Sequence, residues 1–378
     1  MSVNSRFVDF LHKKYPAIPR MDVSDRLICS SPIPIKAKVF EKIKFEIAAY
    51  AKLREWTVKY KKHIYEKNKL IVPPNFAACT SFDFHVDAND DIHLIEVNTN
   101  AAFMALGLNL YEFFDRKNLV NFDEAALVEM FRQEQQLAGA SNNCIYILDE
   151  KPKEQRMYFE FLLFAEIFKK HGLDCQIVDA TNTDEVKNIP NGSLVYNRYT
   201  DFYLNESKSK FIKERFNNGE IFLSPQPWEY FQVADKERFL DWTAQIEVPR
   251  PSSLLSAFDL DVEPPEKIWP LRKDLFFKPK SSFGSKGVFK GASVTKKVFD
   301  SFFGNHFIAQ KLALPAEMDI AVEIVKDGAP AREIQKMKYD LRCYTYREEL
   351  QMIIARVYQG QTTNLRTEGG GFTIVTVE

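Results

Sequence analysis

The stretch Ser81 to Asn100, SFDFHVDANDDIHLIEVNTN, limits what this chain can become more than any other. Phe82 to Val86 alternates, Ala88 to Asp91 is polar and turn-rich, and Ile92 to Val97 is apolar and β-branched, which reads as a β-hairpin. Asp83 lies on the first strand. Glu96 and Asn98 lie at the end of the second, on one face, because strand side chains alternate. Three oxygen ligands, Asp83, Glu96 and Asn98, would then converge as a Mg2+ site, since that ion takes oxygen ligands and fills its other positions with waters and nucleotide phosphates. An acidic hairpin is more often a solvated surface feature, so the metal reading leans on the rest of the chain. His85 and His93, on the same hairpin, read as structural or surface groups beside an ion that prefers oxygen.

With 378 residues, 45% hydrophobic and 13% aromatic, the chain can bury substantial cores in roughly two or three domains. A formal charge of -1 supplies no global basic field for nucleic acid or an anionic membrane. Cys29, Cys79, Cys144, Cys175 and Cys343 are scattered, with no CxxC, and read as reduced thiols of a cytoplasmic protein rather than as a zinc site or a disulfide framework. Neither a signal-peptide core nor an apolar run of about 18 residues is present, so secretion and membrane spanning are not expected.

Residues 1–35 carry Pro16, Pro19, Pro32 and Pro34 and read as an irregular lead-in with a short helix near Phe7 to His12. From Lys36 to about Lys67, apolar residues recur at steps of three, four or seven, predicting an amphipathic helix with a lysine-rich solvated face. Ala101 to Leu110 is small and apolar, and Leu119 to Leu137 predicts another helix, so 36–140 forms one unit around the hairpin. Residues 141–230 then alternate strands (Asn143 to Leu148, Cys175 to Val178, Ser193 to Tyr196) with helices (Gln155 to His171, Lys208 to Asn218), the pattern of a Rossmann-like parallel sheet. No GxGxxG turn accompanies it, so dinucleotide binding is not indicated. Ligands of such sheets sit beyond the strand C-termini, which makes Arg198 and Tyr199 candidates for holding a substrate carboxylate, the alternative being an ordinary surface-paired arginine.

Residues 231–378 form the last unit, in which Ala234-Asp235-Lys236 begins a helix that runs to about Gln245. Within LRKDLFFKPKSSFGSKGVFK, strands Leu275 to Lys278 and Val288 to Phe289 flank a Ser/Gly/Lys loop whose backbone amides can cradle phosphate, with charge from Lys278 and Lys286. Phe307 to Lys311 and Asp319 to Ile324 read as strands, as do Leu341 to Tyr346 and Leu350 to Tyr358, which carry Arg342 and Arg356. Gly369-Gly370-Gly371 reads as a flexible loop suited to close backbone approach. A nucleotide site built from these parts has its acidic half near the N-terminus and its basic half near the C-terminus.

That order resembles the ATP-grasp superfamily circularly permuted, as in eukaryotic glutathione synthetase. The matching segments are VADKERFLDW, FFKPKSSFGSKGV, FIAQKLALP, DLR with ARVYQGQTTNLRTEGGG, and FDFHVDANDDIHLIEVN displaced to the front. The resemblance implies an α/β ATP-grasp fold with a Rossmann-like substrate domain, and an ATP- and Mg2+-dependent carboxylate-amine ligase working through an acyl phosphate. It implies that Asp83, Glu96 and Asn98 hold Mg2+, that Lys236 and Lys278 contact phosphates, and that Ser282, Gly284, Ser285, Lys286 and Gly287 cover the triphosphate. Gln310, Lys311, Leu312 and Ala313 would read the adenine, and Glu317 would accept from the ribose. Arg356 would stabilise the transferring phosphoryl group, and Arg342, Asn364, Gly369, Gly370 and Gly371 would face the acyl phosphate and second substrate. Departures fall on the substrate and metal sides: Ser81 replaces an arginine, Ala101 and Phe103 replace serines, Arg156 and Glu160 stand near the places of an Asn and a Gln, and Ser282 replaces a metal-binding Glu, so that Asp83 follows the unpermuted ATP-grasp pattern instead. Arg198 persists. The implied partner is therefore a different amino acid or small peptide, not nucleic acid or membrane; a homodimer stays open. Two alternatives remain, a small-molecule kinase on the same fold and a nucleotide-binding protein without turnover.

Overall fold

The computed structural model describes residues 1–20, 24, 26–281, 287–326, 329–361, 363 and 366–378. Ser282, Gly284, Ser285, Lys286 and Asn364, expected at the phosphates and the second substrate, lie outside the described residues. In chain order, α1 (Val3–Lys14) and β1 (Ile33–Ile35) precede the long α2 (Ala37–Tyr65). The hairpin follows as β2 (Thr80–Val86) and β3 (Ile92–Asn98), then α3 (Met104–Phe113) and α4 (Glu124–Ala138). Next come β4 (Cys144–Asp149), α5 (Tyr158–Lys170), β5 (Asp174–Asp179), β6 (Ser193–Asn197) and β7 (Ile221–Ser224). The remaining strands are β8 (Ala257–Asp259), β9 (Leu275–Pro279), β10 (Phe289–Lys290), β11 (Phe307–Lys311), β12 (Glu317–Lys326), β13 (Ala329–Tyr346), β14 (Glu349–Tyr358) and β15 (Gly371–Val377).

These strands make three sheets: a seven-stranded one ordered β1-β15-β14-β13-β2-β3 with β12 also on β13, a four-stranded β10-β9-β11-β8, and a four-stranded β5-β4-β6-β7. The last is parallel throughout, as the strand and helix alternation of 141–230 requires. The largest is joined by β13, whose 18 residues are long enough to pair with β12 along the first part and with β2 along the second. Through that strand the N-terminal hairpin joins the C-terminal strands β12, β14 and β15, the last of which also pairs with β1.

Helix α2 explains why the hairpin has a free face. Its Val39, Ile43, Ile47, Tyr50 and Leu53 recur every three or four residues and are buried as one stripe. That stripe packs on Phe82, Phe84, Leu94, Leu341, Cys343 and Ala355. Since strand residues alternate, Asp83, Glu96 and Arg342 are presented to the other side. Glu46, on the same helix, is buried and accepts hydrogen bonds from the N–H and hydroxyl groups of Ser252 and Ser253 at 2.6–3.2 Å, anchoring the segment that leads into the β8–β11 sheet.

Four features depart from the expectations. The lead-in is more ordered than expected: α1 spans Val3–Lys14, and β1 pairs in parallel with β15, Ile33 opposite Val375. The small apolar run after the hairpin is a fully formed helix, α3, buried along its whole length except at its last two residues. The helix expected over 234–245 starts later, at Glu237, because a π-helical turn occupies Tyr230–Ala234. The close approach expected at Gly369, Gly370 and Gly371 is made by the chain itself rather than left open in a flexible loop. A Cβ at the three positions would lie 2.6 Å from Val322 Cβ, Val357 O and Leu27 O respectively, and Gly371 opens β15 at φ +128°. Gly371→Ala is therefore expected to cost on the order of 2–4 kcal/mol, from backbone strain and a backbone clash together. Chemical denaturation of the two proteins measures it, and an unchanged midpoint would contradict the packing.

Candidate active site

Register places a row of charges across one face of the large sheet. Glu96 stands opposite Asp83, Asn98 opposite Ser81, Asp83 opposite Arg342, and Asp340 opposite Arg356. Directly opposed residues bring their side chains within contact of one another. Asp83 is fully buried and receives five donors: Arg342 Nε at 3.0 Å and Nη2 at 2.7 Å, Arg356 Nη2 at 2.8 Å, Ser81 Oγ at 3.0 Å and Asn98 Nδ2 at 3.2 Å. Asp340, also buried, accepts from Arg356 Nε at 2.6 Å and from the hydroxyl of Thr363. Both arginines are thus held by carboxylates through one edge of the guanidinium.

A bulge shapes the acidic side. Asp83 pairs with Glu96 but Phe84 with Leu94, so Ile95 has no partner on β2, and its carbonyl accepts from Lys278 Nζ at 3.1 Å. Lys278 sits on β9 of the four-stranded β10-β9-β11-β8 sheet, so this bond brings that sheet onto the hairpin. Burial pushes the Lys278 ammonium down to about 8; the Glu96 carboxylate opposes that, and the nearby Lys236 adds to it. Lys236 is likewise lowered by burial, with Glu96 and Asp235 pulling the other way. The two lysines and Glu96 therefore share one poorly solvated space.

Gln310 accepts from Lys278 Nζ at 2.6 Å through Oε1, which turns its Nε2 into a buried donor with no acceptor among the described residues. After it the chain crosses from β11 to β12. Lys311 N–H bonds Ser256 O at 2.8 Å, Leu312 N–H bonds Asp274 O at 2.8 Å, and Ala313 O meets His85 Nδ1 at 2.8 Å. Leu312 C=O and Ala313 N–H have no backbone partner among the described residues. One acceptor and one donor side by side are what the edge of an aminopurine requires. His85 is kept neutral by burial, with its Nδ1 proton on Ala313 O and Nε2 3.3 Å from Tyr358 OH.

Of the expected site residues, Asp83, Glu96, Asn98, Arg342, Arg356, Lys278, Lys236 and Gln310 come together. Ala313 joins them through His85, and Gly287 is described at φ +68° beside Pro279. Glu317, at the start of β12, is half-exposed and lies 3.8 Å from Lys338. Arg198 reaches the loop after the hairpin, donating to Asn100 O. Tyr199 does not: it is buried in the parallel-sheet core, with its hydroxyl on Glu206 and Ser209.

Would a metal ion fit here? Asp83 has both oxygens filled by cationic and neutral donors, whereas Glu96 accepts, among the described residues, from Asn98 Nδ2 at 3.4 Å. The donor set suited to Mg2+ is therefore Glu96 and the Asn98 amide oxygen, with Asp83 fixing Asn98 from behind. Among the described residues no cluster of three His, Cys, Asp or Glu side chains forms a metal site. Two protein oxygens suffice for Mg2+, which fills its octahedron with phosphates and water.

Sequence reading missed Asp340, the partner of Arg356, and set aside His85. Asp340 lies two residues before Arg342 on the same face, so alternation could have found it; the His85–Ala313 contact spans distant segments and left no local signal.

No protein-family model matches the sequence, and no curated protein matches it. Among solved structures, a glutathione synthetase-like effector from Globodera pallida is similar over 99% of this chain and 96% of its own, with TM-score 0.61 and 10% identity. A gamma-glutamylcysteine synthetase-like protein from Methylobacillus flagellatus KT aligns over 90% and 88%, with TM-score 0.49 and 8% identity. The ATP-grasp ligase PsnB, solved with minimal precursor, Mg and ADP, aligns over 62% and 88%, with TM-score 0.31 and 11% identity. The first likeness shows the fold; the other two are too distant to carry an argument.

Asp83 makes a testable claim on stability. Burial alone would raise its pKa, but Arg342 and Arg356 overcome that and hold it at about 2, below the ordinary 3.8. A folded value below the unfolded one means the contribution is complete above pH ~4 and is lost as pH falls toward 2, on the order of 2 kcal/mol. Asp83→Asn is expected to cost about 3–5 kcal/mol at neutral pH, because two buried guanidiniums lose their counter-charge. Denaturant unfolding of both proteins from pH 7 to pH 3 checks it: the gap should narrow below pH 4, and a gap that stays constant or widens would contradict the pairing.

Proposed function

We propose that this chain, whose fold is the glutathione synthetase-like form of the ATP-grasp fold, is an ATP-dependent carboxylate-amine ligase. The observation that carries the reading is the Lys278 bridge: one buried lysine ties the hinge residue Gln310 to the bulged hairpin that bears Glu96 and Asn98. Nucleotide groups and metal ligands are thereby set against the two fixed arginines.

In this reading the adenine lies along Leu312 and Ala313, with Gln310 Nε2 donating to it, and Lys236 and Lys278 meet the phosphates. Glu96 and Asn98 would hold Mg2+, which would supply neutralising charge to the nucleotide phosphates. A substrate carboxylate oxygen attacks the γ-phosphorus, the bond to the β-γ bridging oxygen breaks, and ADP leaves. Arg342 and Arg356 face the transferring group with their unpaired N–H bonds already oriented, so little reorganisation accompanies the reaction. An amine then attacks the acyl carbonyl, the acyl C–O bond to phosphate breaks, and the amine's proton passes to the departing phosphate. Asp83 and Asp340 act on this chemistry through the arginines they hold. The substrate is an amino acid or small peptide. Among the described residues no helix is long and apolar enough to cross a membrane, and we place the reaction in the cytoplasm.

Hydroxylamine in place of the amine tests the reaction class. A ligase forms a hydroxamate with ADP release, whereas a kinase leaves a stable phosphoester and no hydroxamate. Glu96→Ala is expected to abolish turnover and the Mg2+-dependent rise in melting temperature with ATP, while shifting the unliganded midpoint by no more than a few degrees. Unchanged turnover would remove Glu96 from the metal site. Lys278 adds a pH dependence. Its ammonium deprotonates near pH 8 without ligand, and bound phosphates favour the charged form. ATP affinity should therefore be level below pH ~8 and fall by up to about tenfold per unit above it, with proton uptake on binding. Calorimetry in buffers of differing ionisation enthalpy reads that uptake, and none at pH 9 would place the phosphates away from Lys278.

A further inference from the structure

Register puts His85, Asp340 and Arg356 in one row across β2, β13 and β14, with Tyr358 two residues beyond Arg356 on the same face. The ring of His85 gives its Nδ1 proton to Ala313 O at 2.8 Å, and its Nε2 lies 3.3 Å from the Tyr358 hydroxyl. That hydroxyl is also within hydrogen-bond reach of the Thr363 hydroxyl. Thr363 donates to one oxygen of Asp340, whose other oxygen accepts from Arg356 Nε at 2.6 Å. A series of hydrogen bonds therefore leads from the hinge peptide at Ala313 to Arg356, which the ligase reading sets at the transferring phosphoryl group.

Proton counting leaves one freedom in this series. The Nδ1 proton is held by a carbonyl, so Nε2 of the neutral ring can only accept. Thr363 has its proton on Asp340, so its oxygen is left to accept as well. Tyr358, buried beyond the reach of competing water, has one proton for these two acceptors. Each bond in a series polarises the next. With the Tyr358 proton on Thr363, the Thr363 hydroxyl becomes the better donor, the charge of Asp340 is drawn toward it, and its hold on Arg356 relaxes. With the proton on Nε2, Asp340 keeps Arg356 more tightly.

We propose that His85 and Tyr358 are positioning residues: the Tyr358 O–H turns between His85 and Thr363 as the hinge empties and fills, and so couples a base on Leu312 and Ala313 to the hold of Asp340 on Arg356. A group with two positions, biased from both ends, is what such coupling requires. The base is then read twice, once in binding and once in the rate of transfer. This assignment rests on the ligase reading for the roles of the hinge and of Arg356, and it adds to that site a dependence of phosphoryl transfer on the base.

The test follows the Arg356 Nε–H signal of the full chain by proton–nitrogen NMR as adenosine, which carries no phosphate, is added; Arg356→Lys identifies the signal by its loss. Adenosine is expected to move the signal in the parent and in Thr363→Ser, which keeps the hydroxyl. It should leave the signal in place in Tyr358→Phe and in Thr363→Val, although both bind adenosine within about twofold of the parent, since neither change touches the hinge. In the hydroxylamine assay these two variants should lower the rate at saturating ATP by about fivefold or more, with KM for ATP within about twofold. A merely structural role would move neither the adenosine response nor that split, and retained adenosine binding shows that the variants fold. The proposal is overturned if adenosine fails to bind the parent, if it binds and leaves the Arg356 signal unmoved, or if it moves the signal equally in Tyr358→Phe. Hydroxamate formed without the adenosine response overturns the coupling and leaves the ligase reading. An adenosine response that Tyr358→Phe abolishes, with no hydroxamate formed, does the reverse.

Discussion

One buried carboxylate, Asp83, holds the arrangement together. It sits on a strand from the first quarter of the chain, and the two arginines that bind it belong to the last tenth. Net stabilisation from such a cluster is small, because desolvating three charges offsets most of their attraction, yet removing one member is costly. Its main effect is on register. A slip of one residue between β2 and β13 would turn Asp83 toward the apolar stripe of α2 and bring Phe82 or Phe84 to the arginines. The pairing therefore selects the alignment in which the hairpin's acids and the C-terminal arginines share a face.

From that alignment follows a division of tasks among the acids. Asp83 and Asp340 are saturated by the donors they orient, which leaves their arginines fixed and partly open to a ligand. Among the described residues Glu96 accepts a long hydrogen bond from Asn98, and it faces two desolvated lysines. Charges that a stable fold would normally avoid burying are thus concentrated where a polyphosphate and a hard cation would neutralise them. His85 connects this centre to the hinge. Neutral and buried, it binds Ala313 with one nitrogen and Tyr358 with the other, so the hinge and the end of β14 are held to the hairpin by a single ring.

Much of this could be read before the structure. The hairpin, α2 and the parallel block announce themselves by period, because each buries one regular face against a neighbour. Asp83, Glu96 and Asn98 were grouped by strand alternation within the hairpin, and the resemblance to ATP-grasp proteins joined Lys236, Lys278, Arg342 and Arg356 to them. What could not be read depends on which strands meet. The saturation of Asp83 arises from pairing between residues some 260 positions apart, and no local pattern encodes it. Strand β1 is three residues long and is defined only by β15. The glycine triplet looked like an open loop because glycine is permissive, but at these positions the absence of a Cβ admits Leu27, Val357 and Val322 instead. Tyr199 shows the reverse: it follows Arg198 in sequence, but Arg198 reaches Asn100 while Tyr199 packs in the parallel-sheet core with its hydroxyl on Glu206 and Ser209.

The most direct measurement is a crystal structure of the full chain with Mg2+ and a non-hydrolysable ATP analogue. The account predicts a metal ion on Glu96 and the Asn98 amide oxygen, phosphates against Lys236 and Lys278, and the adenine edge on Leu312 O and Ala313 N, with Asp83 still bound to both arginines. Nucleotide bound elsewhere, or a metal ion that displaces an arginine from Asp83 while ignoring Glu96, would contradict it.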